Sequence, residues 1–508
     1  MSTPQEDQSG IPRGPVKESG SKIFKDPVHG TITVTGLCVK IIDTPQFQRL
    51  RYLKQLGGGY FVYPGAAHNR FEHSIGTYYL AGTFARILQQ EYPDLKDDEI
   101  TCIEIAGLCH DLGHGPFSHV FDNLFIPRVV PGSEWKHEHA SVDMLDHLIN
   151  TNEDVKEAFK KFDENGTRGH LELIKDLILG RKNSAGEPKG GVHEMRGEKP
   201  FLYEIVNNAE TGIDVDKWDY FARDCHMLGI KNNFDHDRYM KLARIIFVEE
   251  EGGKVPRICA RDKEAYNLYD MFHTRETLHR RAYQHQVTRG VELMIVDALR
   301  LADETVRITG SNGKQQKISE CINDMAAYSH LNDSILQFVE DPINLGTEND
   351  SLPDTLEQAR TIIRRLRTRD LYKCVGQYTL SAADPFTQDD IPGIREKICS
   401  PTMATWDDKQ FEIVLTSFDY GKKKDDPLTK AWFYRKFEPA KAFTLPADEI
   451  SRMLPKRFQE RGISIYSKQK EFEVEIARRF KRWSDERKME EFPENSGQQV
   501  QMPGVSNQ

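Results

Sequence analysis

The segment HDLGHGPFSH, residues 110–119, restricts the fold more than any other stretch of the chain. It directly follows DDEITCIEIAGLC, residues 97–109, whose apolar residues recur at helical spacing after a group of acids. We therefore predict a helix that has Asp97 or Asp98 as its N-cap and carries the histidine cluster at its C-terminal end. The cluster holds three of the chain's 17 histidines. A metal site, a proton relay and chance are the candidate causes.

Helical periodicity dominates before residue 371, and strand-like alternation dominates after it. An extended segment at 23–34 predicts a strand or hairpin, and Asn312-Gly313 predicts a second hairpin turn. These patterns predict a mainly α fold with small β-hairpins, followed by a smaller α+β C-terminal lobe. The helical ranges are 39–56 (stopped by Gly57, Gly58 and Gly59), 71–90, 97–114, 141–149, 170–179 and 262–305. The strand-like ranges are 410–421, 430–437, 440–445 and 462–468, before a basic helix at 470–488.

The same patterns divide the 508 residues into four parts. A long loop is expected at 180–200, where glycine and charged residues replace the apolar periodicity. The four parts are a disordered N-terminal tail at 1–21, a helical domain at 22–370, an α+β lobe at 371–486 and a disordered C-terminal tail at 487–508.

Composition excludes several classes of protein. No apolar run is long enough to span a bilayer, so we expect no membrane partner. The N-terminal residues lack the apolar stretch of a signal peptide, and the eight cysteines form no CxxC pair, which favours reduced thiols in the nucleus or cytoplasm. The net charge of −10 means that any phosphate site must come from local basic clusters.

The adjacent pair His110-Asp111 offers a nitrogen and an oxygen ligand, a mixture that suits a first-row divalent ion. Further ligands must come from other segments. HNRFEHS supplies His68 and His73, and the segment 212–226 supplies four acids. Helical spacing places Asp216, Tyr220 and Asp224 on one face, with Lys217 and Arg223 beside it, and it places Arg275, His279 and Tyr283 on one face of a second helix.

Four longer segments carry a resemblance to a known family: residues 43–74, 105–122, 212–230 and 267–287. They resemble the HD-domain phosphohydrolases, named for the His-Asp pair. Within that superfamily they resemble the vertebrate sterile-alpha-motif and HD-domain deoxynucleoside triphosphate triphosphohydrolases. The resemblance covers roughly residues 22–485 and implies an HD-domain helical core. We expect no sterile-alpha-motif domain before Lys22 and no extended regulatory tail.

The resemblance implies an active site that cleaves deoxynucleoside triphosphates (dNTPs) into deoxynucleosides and triphosphate. Iron, manganese or zinc would bind four ligands, Mg²⁺ would accompany the nucleotide, and His119 would protonate the 5′ oxygen. Tyr283 would exclude a 2′-hydroxyl, and Gln55 and Asp224 would contact the 3′-hydroxyl. The implied metal ligands are His73, His110, Asp111 and Asp216. The implied catalytic residues are His114, His119, Asp122 and His137. The implied substrate-binding residues are Gln55, Leu56, Arg70, Lys217, Tyr220, Asp224, Arg275, Tyr283 and Gln284.

The resemblance also implies activation by GTP and a dNTP bound between the subunits of a homotetramer. Lys25 and Gln286 depart from the family pattern, which has Asn and Lys at these positions. Control of cellular dNTP pools and an antiviral, innate-immune role follow from the same resemblance. The implied guanine-nucleotide site comprises Lys22, Ile23, Asp43, Gln48, Arg51 and Phe71. The adjoining deoxynucleotide site comprises Val62, Arg238, Arg261, Lys263, Asn267 and His285.

Two other functions remain open from the residues alone. One is an HD enzyme that acts on another nucleotide phosphoester, which the identity of the product would distinguish. The other is a nucleotide-gated protein that binds single-stranded RNA or DNA. The basic segments RTIIRRLRTRD and ARRFKRW could contact its phosphate backbone.

Overall fold

The computed structural model describes residues 20–165, 169–180, 199–250, 253–341, 353–381, 384–399, 408–450, 455 and 457–491. Nearly all of the predicted loop at 180–200 and most of both predicted tails lie outside these residues. The described part is mainly α-helical, as the sequence predicts. The helices are α1 Gly36–Ile42, α2 Pro45–Gln48, α3 Arg70–Glu91, α4 Asp97–Cys109, α5 Ile126–Val129, α6 His137–Thr151, α7 Glu153–Asn165, α8 His170–Leu179, α9 Val215–Leu228, α10 His236–Lys241, α11 Ala265–Leu278, α12 Gln286–Asp303, α13 Met325–Tyr328, α14 Ile335–Glu340, α15 Asp354–Arg367, α16 Ile391–Cys399, α17 Ala447–Ile450 and α18 Glu473–Glu491.

The strands form four small sheets, and both predicted hairpins are confirmed. Strands β1 and β2 pair antiparallel near the N-terminus, and β5 and β6 flank Asn312-Gly313, whose φ angles are 55° and 75°. The other two sheets have the strand orders β10-β9-β4-β3 and β7-β11-β8. The strands are β1 Lys22–Asp26, β2 Gly30–Val34, β3 Ala243–Glu250, β4 Gly253–Arg261, β5 Ile308–Thr309, β6 Gln315–Gln316, β7 Lys373–Thr379, β8 Phe411–Asp419, β9 Trp432–Arg435, β10 Glu438–Thr444 and β11 Gln459–Ser467.

Helices α3 and α4 pack along each other at the centre of the main core. The start of α4 differs from the prediction, because Asp97 is already helical and Lys96 occupies the N-cap position. The Glu99 side chain accepts a hydrogen bond of 2.9 Å from the Lys96 backbone N–H. The third residue of the helix therefore supplies a side-chain hydrogen bond at its N-terminal end, where an aspartate N-cap was expected to supply one.

Two of the predicted helices are interrupted. The range 39–56 divides into α1, α2 and a 3-10 turn at Arg49–Tyr52, because Pro45 begins a new helix that Thr44 caps. The range 262–305 divides into α11 and α12, separated by a wider π-helical turn at His279–Tyr283. That turn changes the spacing of the side chains that follow Arg275.

The C-terminal lobe has its own apolar core and also contacts the helical domain. Helix α18 packs against β7, and its residues Phe480 and Trp483 are buried with Tyr378, Phe411 and Ile465. Strand β9 leaves this lobe and pairs in parallel with β4, so the sheet β10-β9-β4-β3 contains strands from both parts of the chain. The end of β8 reaches α11, beside the candidate site.

None of the described helices combines the length and the apolar character that crossing a membrane requires. All eight cysteines lie within the described residues, and none forms a disulfide.

Candidate metal centre

Four side chains from three distant segments meet at the C-terminal end of α4. His73 lies near the start of α3, His110 and Asp111 follow α4, and Asp216 lies in the first turn of α9. Nε2 of His73 lies 3.2 Å from Nε2 of His110 and 3.0 Å from Oδ1 of Asp216. Nε2 of His110 lies 3.3 Å from the same Asp216 oxygen and 3.4 Å from Oδ1 of Asp111. The imidazoles of His73 and His110 and the Asp216 carboxylate therefore face one point, and the Asp111 carboxylate contacts both imidazoles beside it.

The other nitrogen of each imidazole is fixed by a hydrogen bond. Nδ1 of His73 donates to Oδ2 of Asp219 over 2.7 Å, and Nδ1 of His110 donates to the Gly107 carbonyl over 2.9 Å. A neutral ring that donates from Nδ1 presents an unprotonated Nε2. The two Nε2 lone pairs then face each other, which is the ligand orientation that such partners set in metal sites.

The electrostatics of this cluster favour a positive charge. Burial lowers the pKa of His73, but hydrogen bonds with Asp216 and Asp219 outweigh it and raise the pKa to about 10. Burial raises the pKa of Asp216, yet His110 and His73 bring it well below its ordinary value. A mixed imidazole and carboxylate set that stabilises a cation fits a divalent transition ion.

Two glycines allow the close approaches that build the site. A Cβ atom on Gly76 would lie 1.8 Å from Oδ1 of Asp219, so the absence of a side chain there lets α9 bring Asp219 to His73. A Cβ atom on Gly113 would lie 2.2 Å from the Ser141 backbone nitrogen and 2.3 Å from the His137 carbonyl oxygen. Gly113 therefore lets α6 begin against the 110–119 segment.

A second cluster lies beside the first and contains three histidines and Asp122. Nδ1 of His137 donates to Oδ2 of Asp122 over 2.6 Å, and Nδ1 of His119 lies 3.4 Å from the same oxygen. The His114 ring stacks on the His137 ring with centroids 3.8 Å apart, and its Nε2 lies 3.3 Å from Oδ1 of Asp111. The His119 side chain is 60% exposed and that of His114 only 1%. His119 is therefore the most accessible imidazole of this cluster.

The Asp122 carboxylate stabilises the protonated form of His119. Desolvation lowers the pKa of His119, but the Asp122 carboxylate outweighs it and the net shift is upward. Burial raises the pKa of Asp122, while His119 and His137 lower it much further, so this carboxyl remains ionised. The pair of Asp122 and His119 can therefore keep a proton on the accessible His119 ring near neutral pH.

The turn before His119 is strained. Phe117 and Ser118 have φ angles of 59° and 55°, in the left-handed region that side chains other than glycine rarely adopt. The Ser118 hydroxyl accepts a hydrogen bond of 2.8 Å from Nε of Arg70 and donates one of 2.7 Å to the Lys54 carbonyl. Arg70 also donates from Nη1 to Asp111. These bonds hold the strained turn and fix a guanidinium beside the metal cluster.

Two further cations reach this region, each paired with an acid. Nζ of Lys217 lies 2.7 Å from Asp214, the N-cap residue of α9. Nη1 of Arg275 lies 3.1 Å from Asp419 at the end of β8. Tyr220 lies on α9 and is half-buried, and the centroid of its ring is 6.3 Å from that of His73.

The remaining predicted substrate contacts form a polar wall. Asp224 is buried, accepts a hydrogen bond from the Tyr283 hydroxyl and lies 2.7 Å from Nε2 of His68. The Gln284 side chain donates to the Ser417 carbonyl of β8 over 2.8 Å. Gln55 is buried with its side-chain oxygen unpartnered among the described residues. Leu56, which is half-buried, follows it and precedes the 3-10 turn Gly57–Phe61.

Three residues join the site although no motif singles them out. Asp219 follows Asp216 by three positions, a spacing that could have placed it on the same side of α9. His29 contacts Asp219 over 2.7 Å from the β1–β2 hairpin, and no sequence signal links these two residues. Asp419 lies 144 residues from Arg275, which only the packing of the lobe brings close.

The residues of the implied guanine-nucleotide site form one patch. Lys22 pairs with Asp43, and the Gln48 side chain donates to the Ile42 carbonyl over 2.7 Å. Gln48 accepts from Arg51 over 2.7 Å, and the Arg51 guanidinium lies 3.5 Å from the centre of the Phe71 ring. Ile23 is 70% exposed beside this patch. The neighbouring Lys25 pairs with Thr31 across the hairpin.

The residues of the implied deoxynucleotide site fall into two groups. Arg238 pairs with Glu264 over 2.7 Å, and the Asn267 side chain donates to the same carboxylate over 3.0 Å. Arg261 and Lys263 flank Asp262 next to this group. His285 caps α12, and its ring lies 5.9 Å from that of Tyr63, the neighbour of Val62. Gln286 is bound to Gln377 over 2.7 Å. Among the described residues, no hydrogen bond or ion pair joins these two groups.

The basic segment of α15 that suggested nucleic-acid binding carries paired arginines. Arg364 pairs with Glu357, Arg365 with Asp370 and Arg367 with Glu340. Such partners are typical of a solvated helix face, and they reduce the positive charge available to a phosphate backbone.

Comparison with known proteins identifies the family. The HD-domain family model matches residues 70–224, which contain both clusters. The chain is 46% identical to a Xenopus laevis protein over 482 residues, or 90% of this chain and 73% of the relative. It is 46% identical to a human protein over 457 residues, or 88% and 70%. Both relatives are named deoxynucleoside triphosphate triphosphohydrolase SAMHD1.

The chain belongs to the SAMHD1 family. The family also extends to a more distant relative, a Dictyostelium discoideum SAMHD1 homolog that is 34% identical over 461 residues, or 89% of this chain and 78% of the relative. The similarity to SAMHD1 proteins therefore spans the helical domain and the lobe, well beyond the residues of the HD-domain match.

Proposed function

We propose that this protein is a metal-dependent dNTP triphosphohydrolase that releases a deoxynucleoside and intact triphosphate. The observation that carries the proposal is the convergence of His73, His110 and Asp216 on one point, with Asp111 against both imidazoles. The names of its SAMHD1 relatives supply the substrate class and the reaction. In this role the protein would control cellular dNTP pools.

The four converging side chains would hold iron, manganese or zinc. When bound, the ion supplies Lewis acidity toward water and toward a phosphate oxygen. Asp219 and the Gly107 carbonyl keep the Nε2 atoms of His73 and His110 aimed at the site. Asp216 is 29% exposed and lies on the side that solvent reaches.

Three cations would bind the triphosphate, together with Mg²⁺ carried by the nucleotide. Arg70 is already fixed by Ser118 and Asp111. Lys217 and Arg275 are paired with Asp214 and Asp419 and would turn toward phosphate oxygens when the nucleotide enters. Phosphate carries more charge than a single carboxylate, so this exchange of partners favours the bound state.

His119 would donate the proton that the leaving 5′ oxygen needs. An alkoxide is too basic to leave unprotonated at neutral pH, so general acid catalysis is required. His119 meets this need because it is accessible and Asp122 maintains its proton. His137 and the buried His114 hold Asp122 and the neighbouring rings in position.

Selection of deoxyribose would be steric. The Tyr283 hydroxyl is bound to Asp224, which fixes the ring against the wall where a 2′-hydroxyl would lie, while Gln55 and Asp224 face the 3′-hydroxyl. We expect Tyr283→Ala to raise the activity on ribonucleotides relative to deoxyribonucleotides. An unchanged ratio of the two kcat/KM values would exclude the steric account.

GTP and a dNTP would activate the enzyme by assembling a homotetramer. Among the described residues, no hydrogen bond or ion pair joins the Val62–His285 group to the Arg238–Asn267 group, which supports a site that two chains complete together. Size-exclusion chromatography with GTP, with a dNTP, with both and with neither tests this. Elution at one volume in all four conditions would exclude nucleotide-driven assembly.

Product identification tests the proposed reaction directly. The manganese-loaded protein is incubated with each dNTP, with and without GTP, and the products are separated by anion exchange. Triphosphate and a deoxynucleoside are expected in equal amounts. Monophosphate or pyrophosphate as the product would instead indicate a different HD phosphohydrolase.

A further inference from the structure

The second histidine cluster has the composition of a metal site. His114, His119, Asp122 and His137 each offer one ligand atom, and these four atoms all lie within 4.8 Å of one another. They come from the segment after α4 and from the start of α6, and the Gly113 contact fixes these two segments together. The cluster is separate from the His73 and His110 group, which has its own convergence point.

Polar atoms of this cluster lack hydrogen-bond partners. Nδ1 of His114, Oδ1 of Asp122 and Oε2 of the adjoining Glu138 are buried and have no hydrogen-bond partner among the described residues. The two oxygens have only ion-pair contacts, of 3.4 Å with Nδ1 of His119 and 3.5 Å with Nδ1 of His137. The side chains of His114 and Asp122 are 1% and 8% exposed. Buried polar atoms are nearly always satisfied in folded proteins, so unpartnered atoms at one place indicate an absent ligand.

A proton relay alone does not satisfy these atoms. The bonds that such a relay uses run from His137 and His119 to Oδ2 of Asp122. They leave Nδ1 of His114 unused, and Oδ1 of Asp122 has only a contact of 3.4 Å with Nδ1 of His119. A ligand at this place is a cation or a hydrogen-bond donor and not an anion, because an imidazole lone pair and a carboxylate oxygen both repel an anion.

The donor set selects the kind of cation. Three imidazoles and one carboxylate are ligands that Zn²⁺ binds in a tetrahedral arrangement, and Mg²⁺ and Ca²⁺ prefer oxygen ligands. Zinc–nitrogen bonds of about 2.0–2.1 Å place neighbouring ligand atoms roughly 3.3 Å apart. The stacked His114 and His137 rings must therefore turn so that a nitrogen of each faces the ion, and the exposed His119 side chain is free to move inward.

We propose that His114, His119, Asp122 and His137 form a second transition-metal site, which binds Zn²⁺ and whose occupancy inhibits hydrolysis. Inhibition follows because a His119 nitrogen bound to zinc cannot carry the proton for the leaving 5′ oxygen. The inhibitory part rests on the proposed function. The binding part does not, because it depends only on the donor atoms.

Metal stoichiometry tests the binding part. The metal-free full-length chain is equilibrated with a series of buffered Zn²⁺ concentrations, and bound zinc is measured by mass spectrometry. Two equivalents are expected for the wild-type chain, one for His137→Gln and one for His119→Gln. The matched control is His139→Gln, an exposed histidine on the same helix, which should retain two equivalents. One equivalent in the wild-type chain, or two in both cluster variants, would overturn the proposal.

The second variant guards against misfolding. His137 contacts His114 and Asp122, whereas the His119 side chain is largely exposed, so His119→Gln should keep the wild-type thermal unfolding midpoint. Substitution of Co²⁺ for Zn²⁺ provides a second measurement, the visible absorption of the bound Co²⁺. Absorption from the second tetrahedral Co²⁺ is expected in the wild type and in His139→Gln and absent from both cluster variants.

Activity tests the inhibitory part separately. Zn²⁺ added to the manganese-loaded enzyme should reduce dNTP turnover at the concentrations where the second equivalent binds, and removal of zinc with a chelator should restore it. Full turnover with the second equivalent bound would overturn inhibition while leaving the binding result intact. A protein that binds two equivalents and hydrolyses no dNTP would instead refute the proposed function.

Discussion

The two histidine clusters differ in how firmly their imidazoles are held. In the first cluster, both rings are anchored through Nδ1, and the side chains of His73 and His110 are 1% and 11% exposed. In the second, His119 is 60% exposed and reaches Asp122 only at 3.4 Å. The fixed rings of the first cluster suit a resident metal ion, whereas the accessible His119 suits proton transfer and becomes fixed only when zinc binds.

The difference also shows why the histidines in one short segment need different surroundings. His110 ends a helix and uses a carbonyl of that same helix, so the local fold alone orients it. His119 follows a strained turn that Arg70 and Lys54 support from other segments. Substitutions should therefore separate the clusters by their effects on metal content and on turnover.

The largest effect is expected for Asp216→Ala. Loss of a ligand from the first cluster should remove the bound ion and with it several kcal/mol of transition-state stabilisation. Each 1.36 kcal/mol is tenfold in rate, so kcat/KM should fall by about 10⁴-fold or more. Metal analysis and dNTP turnover are measured together, with Asp237→Ala on the neighbouring α10 as the exposed control. A metal-free variant with normal turnover would contradict a catalytic ion.

His119→Asn should reduce kcat by about 10²–10⁴-fold, the usual contribution of a general acid. The metal in the first cluster should remain, because no hydrogen bond among the described residues joins His119 to any of the four ligands. Comparison with Asp216→Ala thus separates proton transfer from metal binding. If kcat is unchanged, another group supplies the proton.

Asp219→Asn should weaken the metal site through His73. Partners of metal-bound histidines contribute about 10–100-fold to affinity or activity. The substituted amide would keep the shape of the buried side chain but remove the charge that binds His73, His29 and Arg223. Metal affinity is measured by competition with a chelator, alongside the thermal unfolding midpoint as a control for folding. A wild-type affinity would mean that Asp219 serves only the structure.

The smallest effect is expected for the pH dependence of Asp122→Asn. The Asp122 carboxylate raises the pKa of His119, so the general acid stays protonated to a higher pH than an ordinary histidine. Removal of that charge lowers this pKa. The alkaline decline of kcat should therefore move to lower pH, as a pH profile of both proteins would show. A shift to higher pH would contradict the assignment of His119 as the acid.

Local patterns predicted most of the elements but not their interruptions. The presence of a helix from Asp97, the hairpin at Asn312-Gly313 and the strands of the lobe were all predictable, because side-chain periodicity and turn residues act over short distances. That helix was expected to reach residue 114 but ends at Cys109. The π-helical turn at His279–Tyr283 was not, since the residues around it read as one continuous helix. The N-cap of α4 is Lys96, one or two residues before the predicted Asp97 or Asp98, and the Glu99 side chain supplies the hydrogen bond at this end.

The sequence by itself determined the chemistry that is available: an imidazole and a carboxylate side by side at the end of a helix, and further histidines and acids in recognisable segments. Only the tertiary structure decided which of them meet. Asp219 reaches His73 through the space that Gly76 leaves, His29 reaches Asp219 from the N-terminal hairpin, and Asp419 reaches Arg275 from the lobe. Periodicity reports only neighbours within a few residues, whereas these contacts depend on how whole elements pack.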